Sequence, residues 1–522
     1  MAEAGNYTQL MLKKIGVFIL LSLSSCSLIK HNGAIPKTEF RAVWIATVVN
    51  IDWPQRGGDP WEKQKEEYLH ILDFYKALNF NAVVVQIRTA GDAFYESNLA
   101  PWSRFLTGEE GIAPETDQNP LKWMIKEAHI RGFEFHAWLN PYRATFDLNT
   151  DVLSESHDYF KHPDWMIKYG KKYYYNPGLP EVQKHMVSII EEVVSQYDID
   201  AIHFDDYFYP YTINNEVFND SLTHLSNNKA ELSLEDWRRS NIDTLVKQVH
   251  QVIKEQKPWV QFGISPFGVW KNIATDPKGS DTKAGQTTYE DLFADPLLWM
   301  ENGWIDYLVP QIYWSLKLPV ASHRILIDWW AENQKNSNLY IGNGAYKVRN
   351  NSDKAWDKMK ELPKQLQLAR KTAAVQGNVF FSARSLMKGN EDVVNYIKNR
   401  LYSYPSFTPV SPLIINEGQP LPELNNMIDK DNYLKLTFNF FNNENIRFAN
   451  IYEIKKSKKL PVCEPKNIIT QIFMDNSNSF NLGKGLIDQR KNIAVTFTDK
   501  FRKESEPIVI HLSEINSYDT KK

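Results

Sequence analysis

Between residues 40 and 400, short apolar runs alternate with longer amphipathic segments, and few folds accept that pattern. The candidate strands are "FRAVWIAT", "AVVVQIR", "FEFHAWLNP", "AIHFDDY", "QFGISPFG", "YLVPQIYW", "LYIGNGAY" and "VFFSARS". They are rich in Val, Ile and Phe, as parallel strands covered on both faces are. The segments between them, such as Trp61–Leu78, Leu121–Arg131, Glu181–Tyr197, Leu234–Glu255 and Pro363–Gln376, carry helical spacing. Eight strand–helix units of this kind predict an α/β fold, a (β/α)8 (TIM) barrel, with a doubly wound open sheet as the alternative. No glycine-rich phosphate loop follows the first strand, which counts against dinucleotide binding. Two connections, Thr145–Asn176 and Trp270–Tyr289, are long, and long loops in compact domains tend to serve function.

A chain of 522 residues exceeds one ordinary core. "YSYPSFTPVSPL", Tyr402 to Leu413, reads as a proline-rich linker. Beyond it "YLKLTFNF", "IRFANIYEI", "IITQIFM", "IAVTFT" and "PIVIHLS" alternate at period two. The expected domains are a barrel over 31–405 and an all-β sandwich of immunoglobulin/fibronectin character over 414–522. The sandwich lacks a carboxylate or histidine cluster and is expected to be an accessory module. Residues 1–30 read as a lipoprotein signal and tether. Lys13 and Lys14 precede an apolar run too short to span a bilayer, and Leu23-Ser24-Ser25-Cys26 resembles a lipobox. Cleavage before Cys26 would leave it as a lipid-bearing first residue, anchoring the chain to a membrane of the bacterial cell envelope. No acidic residue follows in "CSLIKHNG", which favours a periplasm-facing anchor. Cys463 is the one other cysteine, so no internal disulfide is expected once Cys26 is lipidated, and Cys463 reads as a buried thiol. A formal net charge of -3 gives no electrostatic reason to bind nucleic acid. No His, Asp or Glu set has metal-ligand spacing, and no cofactor is expected.

Strand parity locates a candidate site. Side chains alternate across a strand, and the helix-facing side of a barrel strand must be apolar. In "IDAIHFDDYFYP" Ile202 and Phe204 share one face, so His203 and Asp205 point inward. Asp206 lies one residue past the regular strand and could turn into the mouth or cap the next segment. Gln86 and Arg88 alternate against Val83, Val85 and Ile87; His136, Trp138 and Asn140 against Phe135, Ala137 and Leu139. Gln311 and Tyr313 alternate against Leu308 and Ile312, and Ser382 and Arg384 against Phe381 and Ala383. Polar groups thus converge on the C-terminal strand ends, where barrel active sites sit. Asp205 and Asp206 are the catalytic candidates. The binding candidates are Trp44, Arg88, Asp92, Asn140, Tyr142, Arg143, His203, Tyr207, Gln311, Tyr313, Trp314 and Arg384. Of these, His203 reads equally well as a hydrogen-bonded core histidine. Asn140, Tyr142 and Arg143 offer an amide, a phenol and a guanidinium together, which suits a polyol or a carboxylate-bearing sugar. Asp52 and Asp281 read singly as turn or cap residues. The aromatic content, with 16 Trp, 25 Tyr and 27 Phe, supplies apolar faces for sugar rings as well as core.

With these residues collected, the chain resembles the bacterial glycosyl-hydrolase-like family ten lipoproteins. The matching stretches are "EFRAVWIATVVNIDWP", "FNAVVVQIR", "FEFHAWLNPYR", "IDAIHFDDYFYP", "FGISPFGVW", "GSDTKAGQTTYEDLFAD" and "GWIDYLVPQIYW", running across nearly the whole barrel. The resemblance implies a (β/α)8 barrel that hydrolyses glycosidic bonds. It also implies a substrate, since some members cut the glycan strands of bacterial cell wall and favour strands stripped of peptide. A partial likeness to chitinase-type barrels stops short. In the run Asp200, His203, Asp205, Asp206, Tyr207, a histidine holds one acidic position and Tyr207 stands where the glutamate acid would be. A related mechanism, in which the substrate's own N-acetyl group attacks the anomeric carbon, stays open beside the retaining and inverting ones.

Two functions follow. One is a glycosidase acting on peptide-free peptidoglycan strands, in which one carboxyl stays protonated and the other ionised. The other is a non-catalytic glycan-binding lipoprotein on a hydrolase-like scaffold, which would need no carboxylate pair.

Overall fold

The computed structural model describes residues 35–414, 422–440, 443–454, 464–488 and 491–512. The lipobox, Cys26 and Cys463 lie outside the described residues. Eight parallel strands close into a barrel: β1 (Phe40–Ile45), β2 (Ala82–Arg88), β3 (Glu134–Leu139), β4 (Ala201–Phe204), β5 (Gln261–Ile264), β6 (Tyr307–Leu308), β7 (Asn338–Asn343) and β8 (Val375–Phe380). Each pairs with its sequence neighbours and β8 returns to β1, so no edge is left open. The helices Trp61–Lys76, Pro120–Ile130, Pro180–Gln196, Leu234–Gln256 and Glu361–Lys371 fall within a few residues of the periodic segments. Their starts are set locally: Asn119 and Ser233 accept backbone N–H groups of the first turn, and Pro120 and Pro180 occupy first-turn positions where no N–H is needed.

Inward positions of the barrel hold a small separate core that includes Phe40, Ala42, Trp44, Ala82, Trp138, Ala201, Tyr307, Tyr340 and Val379. Small residues at some of these positions leave room for large rings at others. Gly263 is one such position, since a Cβ there would fall 1.9 Å from the Tyr307 ring. The outward positions pack on the helices in one large apolar cluster.

The parity of β8 differs from the expected one. The strand ends at Phe380, and Ser382 caps the helix Ala383–Met387. Arg384 therefore sits on a helix rather than a strand, and Val379 and Phe381 are the inward residues. The loop Thr145–Asn176 contains a two-stranded hairpin, Met166–Tyr169 with Lys172–Tyr175. A third long connection, 205–233, also lies at the mouth end and carries the helix Ser221–Asn227.

The C-terminal strands form two antiparallel sheets. In sequence order the first, second and fifth strands (Glu423–Asp429, Tyr433–Asn439, Ser479–Gly483) make one sheet. The fourth, third, sixth and seventh (Ile468–Phe473, Ile446–Ile454, Asn492–Asp499, Ile508–Ile510) make the other. Alternate residues such as Leu434, Leu436, Phe438, Ile493, Val495 and Phe497 fill the space between them. This unit covers the N-terminal floor of the barrel through ion pairs of two buried arginines. Arg447 reaches Asp198 at 2.5 Å and Asp200 at 3.3 Å, and Arg502 reaches Glu134 at 2.7 Å. Burial works against the charge on Asp200, but Arg447 and His129 hold its carboxyl well below the ordinary carboxylate range. Arg447→Met is expected to destabilise the protein by roughly 3–5 kcal/mol, because it leaves a buried carboxylate short of its cation. The shift in urea midpoint measures this.

Candidate active site

A cavity of about 220 Å³ opens at the C-terminal ends of the strands. Asp205 and Asp206 form part of its wall, each only 4% exposed. A larger hollow, about 790 Å³, lies near Lys254, Asp306 and Phe501 at the opposite end, remote from the pair.

Asp205 points inward, as parity predicts. Its Oδ2 accepts the Trp138 indole N–H at 3.1 Å and the Asn140 amide at 3.2 Å. Its Oδ1 has longer contacts, 3.3 Å from Asn140 and 3.4 Å from the Tyr207 backbone N–H. Asp206 turns into the same cavity, where the Tyr211 hydroxyl donates to its Oδ2. Burial, together with the neighbouring charge of Asp206, pushes the Asp205 carboxyl up to about 7. Arg143 and the Trp138 N–H work in the other direction. Burial also raises Asp206, against the opposing pull of Tyr211, Gln311 and Arg143. Two carboxyls this close titrate as a unit, and near neutral pH the pair holds a proton that an exposed aspartate would have lost.

Much of the rest of the wall is aromatic. Trp44, Tyr207, Gln311 and Tyr313 line it, as expected, and Arg143 lies over the Tyr207 ring at 4.6 Å. The Arg143 Nη1 donates to the Thr89 carbonyl, and its buried Nε has no protein partner. Asn140 acts through Asp205, and His203 sits beneath the cavity floor, bonded to Trp44, Ser265 and Tyr307.

Five expected binding residues lie elsewhere. Arg88 follows a register shift in β2 and points to Tyr175 and the Asp92 carbonyl. Asp92 folds back on its own loop, accepting the Thr89 and Ala90 N–H groups and the Thr89 hydroxyl. Tyr142 is fully buried in the outer core, under the hairpin that Tyr175 joins to it. Trp314 packs edge-on against Phe267, with ring centroids 5.5 Å apart, outside the cavity wall. Arg384, on its helix, offers its backbone N–H to Asp52. Asp52 is a structural staple, accepting also from the Ala46 N–H and the Ser382 hydroxyl.

The cavity also contains residues that were not among the binding candidates: Gln86, Trp138, Ser265, Tyr211, Tyr346 and Phe381, with Val48 and Ile51 toward the entrance. Trp138 was legible as inward by parity. Tyr211 belongs to the aromatic run that follows the aspartates, but a loop has no period from which to aim it. Among the described residues, no group of His, Cys, Asp or Glu side chains is arranged to hold a metal ion, and no helix is long and apolar enough to cross a membrane.

The sequence model of the family described as "Glycosyl hydrolase-like 10" matches residues 39–358. "Glycosyl hydrolase YngK" of Bacillus subtilis (strain 168) is 43% identical over 479 residues, covering 90% of this chain and 92% of that protein. "Glycosyl hydrolase DigH" of Escherichia coli (strain K12) is 37% identical over 384 residues, covering 69% of this chain and 87% of that protein. Among solved structures, the PgaB (BpsB) glycoside hydrolase domain from Bordetella bronchiseptica aligns with 70% of this chain and 99% of its own, at 11% identity and a TM-score of 0.44.

A carboxyl raised by burial binds its proton more tightly in the folded chain than in the unfolded one. Between its ordinary value of 3.8 and about 7 the unfolded state ionises first, so stability falls as pH climbs through that window and stays lower above it. Asp205→Asn removes this cost. The variant is expected to match wild type near pH 4 and to be more stable at pH 8, by an amount on the order of a few kcal/mol, seen as a higher melt. A depressed melt at pH 8 would instead mark Asp205 as the partner of a structural ion pair.

Proposed function

The chain belongs to the glycosyl hydrolase-like 10 family, and we propose that it hydrolyses bacterial cell-wall glycan strands from which the stem peptides have been removed. The observation that carries this reading is the pair of adjacent buried carboxyls in an aromatic-walled cavity at the barrel mouth. Asp205, kept protonated near neutral pH, donates to the leaving glycosidic oxygen, and its less tightly held Oδ1 is the atom that carries the proton. Asp206 stays ionised in the reacting complex, held by Tyr211 and Gln311, and stabilises positive charge as it develops on the sugar.

Chain neighbours do not reach opposite faces of one bond, so the pair acts from a single side. That geometry favours the substrate-assisted route, in which the acetamide of an N-acetyl sugar supplies the nucleophile that a second, opposed carboxylate would otherwise provide. A cavity of about 220 Å³ is small beside the roughly 300–1,000 Å³ of drug-sized sites. It suits a single sugar residue, with the strand continuing past Val48, Ile51 and Tyr346. Glycan without peptides passes such a mouth more easily than a branched strand.

Release of reducing ends from purified peptide-free glycan is the direct test. Wild type is expected to release them, and Asp205→Asn to lose at least about 10²-fold in rate with folding intact. Binding without release by wild type would select the non-catalytic glycan-binding reading instead. Full turnover by Asp205→Asn would remove Asp205 from the chemistry.

We propose further that the mature chain is lipid-anchored through Cys26 on the periplasmic side of the envelope, a reading supported by the Leu23–Cys26 lipobox. Palmitate labelling of wild type but not of Cys26→Ala is the expected result, and equal labelling of both contradicts it.

A further inference from the structure

The barrel interior holds an unbroken line of buried polar groups, from the cavity floor to the sandwich. The Trp44 indole N–H donates to His203 Nε2 at 3.2 Å. His203 Nδ1 lies 3.1 Å from the Tyr307 hydroxyl, which lies 2.8 Å from His136 Nδ1. His136 Nε2 is 3.0 Å from Glu134 Oε2, and the Arg502 guanidinium closes on both Glu134 oxygens. Trp44 is 2% exposed, and His203, Tyr307 and His136 are fully buried.

The donors and acceptors allow one direction. An indole N–H can only donate, so His203 Nε2 must be bare. Burial keeps that ring neutral, which puts its proton on Nδ1, facing Tyr307. Tyr307 therefore accepts from His203 and donates to His136 Nδ1. The His136 proton is then on Nε2, where it meets the ionised carboxylate of Glu134. At that end burial opposes the charge, and Arg502 is the main group that sustains it, with the Thr408 hydroxyl also donating to Oε1.

We propose that Arg502, on the C-terminal sandwich, is a positioning residue for the barrel-mouth cavity: by holding Glu134 ionised it fixes the direction of this hydrogen-bonded line and so the orientation of Trp44. The inference rests on the reading of that cavity as the sugar site. Its physical core is that one proton reverses the line. Without Arg502, Glu134 and Asp200 share Arg447, which is already engaged by Asp198 and Asp200. The Glu134–His136 pair then takes up a proton. Glu134 Oε1 remains the acceptor of the Thr408 hydroxyl, so the proton sits in the contact between Glu134 Oε2 and His136 Nε2, and His136 Nδ1 then bears hydrogen and donates to Tyr307. Tyr307 donates to His203 Nδ1, and the His203 proton moves to Nε2. That N–H can satisfy itself on Ser265 Oγ, 3.0 Å away, but the Trp44 N–H is left facing another donor. Trp44 must turn, and its ring is part of the cavity wall. Space for it is limited on the side of β7, where Gly342 sits so close that a Cβ would lie 3.2 Å from the ring.

Histidine ¹⁵N spectra of the full chain, assigned with His136→Gln and His203→Gln, read the line directly. The wild-type spectrum is expected to show His203 protonated at Nδ1 and bare at Nε2, and His136 protonated at Nε2. The opposite tautomers in wild type overturn the proposal, whatever the variants do. In Arg502→Met, His203 is expected to move its proton to Nε2 and the Trp44 indole signal, assigned with Trp44→Phe, to shift. Arg502→Lys, which keeps a cation, should retain the wild-type pattern. So should the double variant Arg502→Met with Glu134→Gln, because a carboxamide oxygen accepts from His136 with no cation beside it. Unchanged tautomers and an unchanged Trp44 signal in folded Arg502→Met contradict the proposal. On peptide-free glycan, Arg502→Met should raise KM about tenfold with kcat within a factor of about two, the signature of lost ground-state contact. If wild type turns over no glycan, the hydrolase reading fails, and the spectra still decide this one.

Discussion

Two like charges buried side by side cannot both be stable, and the site at the barrel mouth is built around that conflict. Asp205 and Asp206 are neighbours on the chain, both buried, and their carboxyls share one guanidinium, that of Arg143, at the cavity wall. Partial relief comes from neutral donors: Trp138 and Asn140 at Asp205, Tyr211 at Asp206. These are weaker than a full ion pair, so protonation remains the cheaper response for one carboxyl. A strongly paired Asp205 would be ionised at every physiological pH and useless as an acid. Arg88, the cation that strand parity places nearest, points instead to Tyr175.

The same economy of charge governs the other end of the barrel, with the opposite outcome. Glu134 and Asp200 are buried as deeply as Asp205 and Asp206, but each meets an arginine of the sandwich at close range. They are held ionised, and the pairs join sandwich to barrel. The barrel thus carries buried acidic residues at both of its ends. Their surroundings, rather than their residue type, leave one set able to hold a proton and keep the other ionised. The line from Glu134 through His136, Tyr307 and His203 connects the two.

Much of this was legible in the sequence because strands have a strict period. Parity placed His136, Trp138, His203, Asp205, Gln311 and Tyr313 inward, and all of them are. It failed where the strand stopped before the alternation did. "VFFSARS" alternates past Phe380, but Ser382 caps a helix, so Phe381 faces the cavity and Arg384 does not. Asp92 and Tyr142 lie beyond strand ends, where a loop's own hydrogen bonds and packing decide direction. Tyr211 and Tyr346 arrive at the cavity from loops without any period to place them. The arginines of the sandwich were not legible for a different reason. Nothing in an alternating strand or a turn marks Arg447 or Arg502 as buried, and it is the docking of one domain on the other that buries them.

The account turns on Asp205 holding a proton near neutral pH because it is buried beside Asp206. The pH dependence of kcat/KM on peptide-free glycan, which reports the free enzyme, tests this most directly. Wild type should show an alkaline limb near pH 7, and that limb should move to lower pH in whatever activity Asp206→Asn retains, since the neighbouring charge that raises Asp205 is gone. A rate that stays level through pH 7 and beyond, or a limb that Asp206→Asn leaves in place, would contradict it.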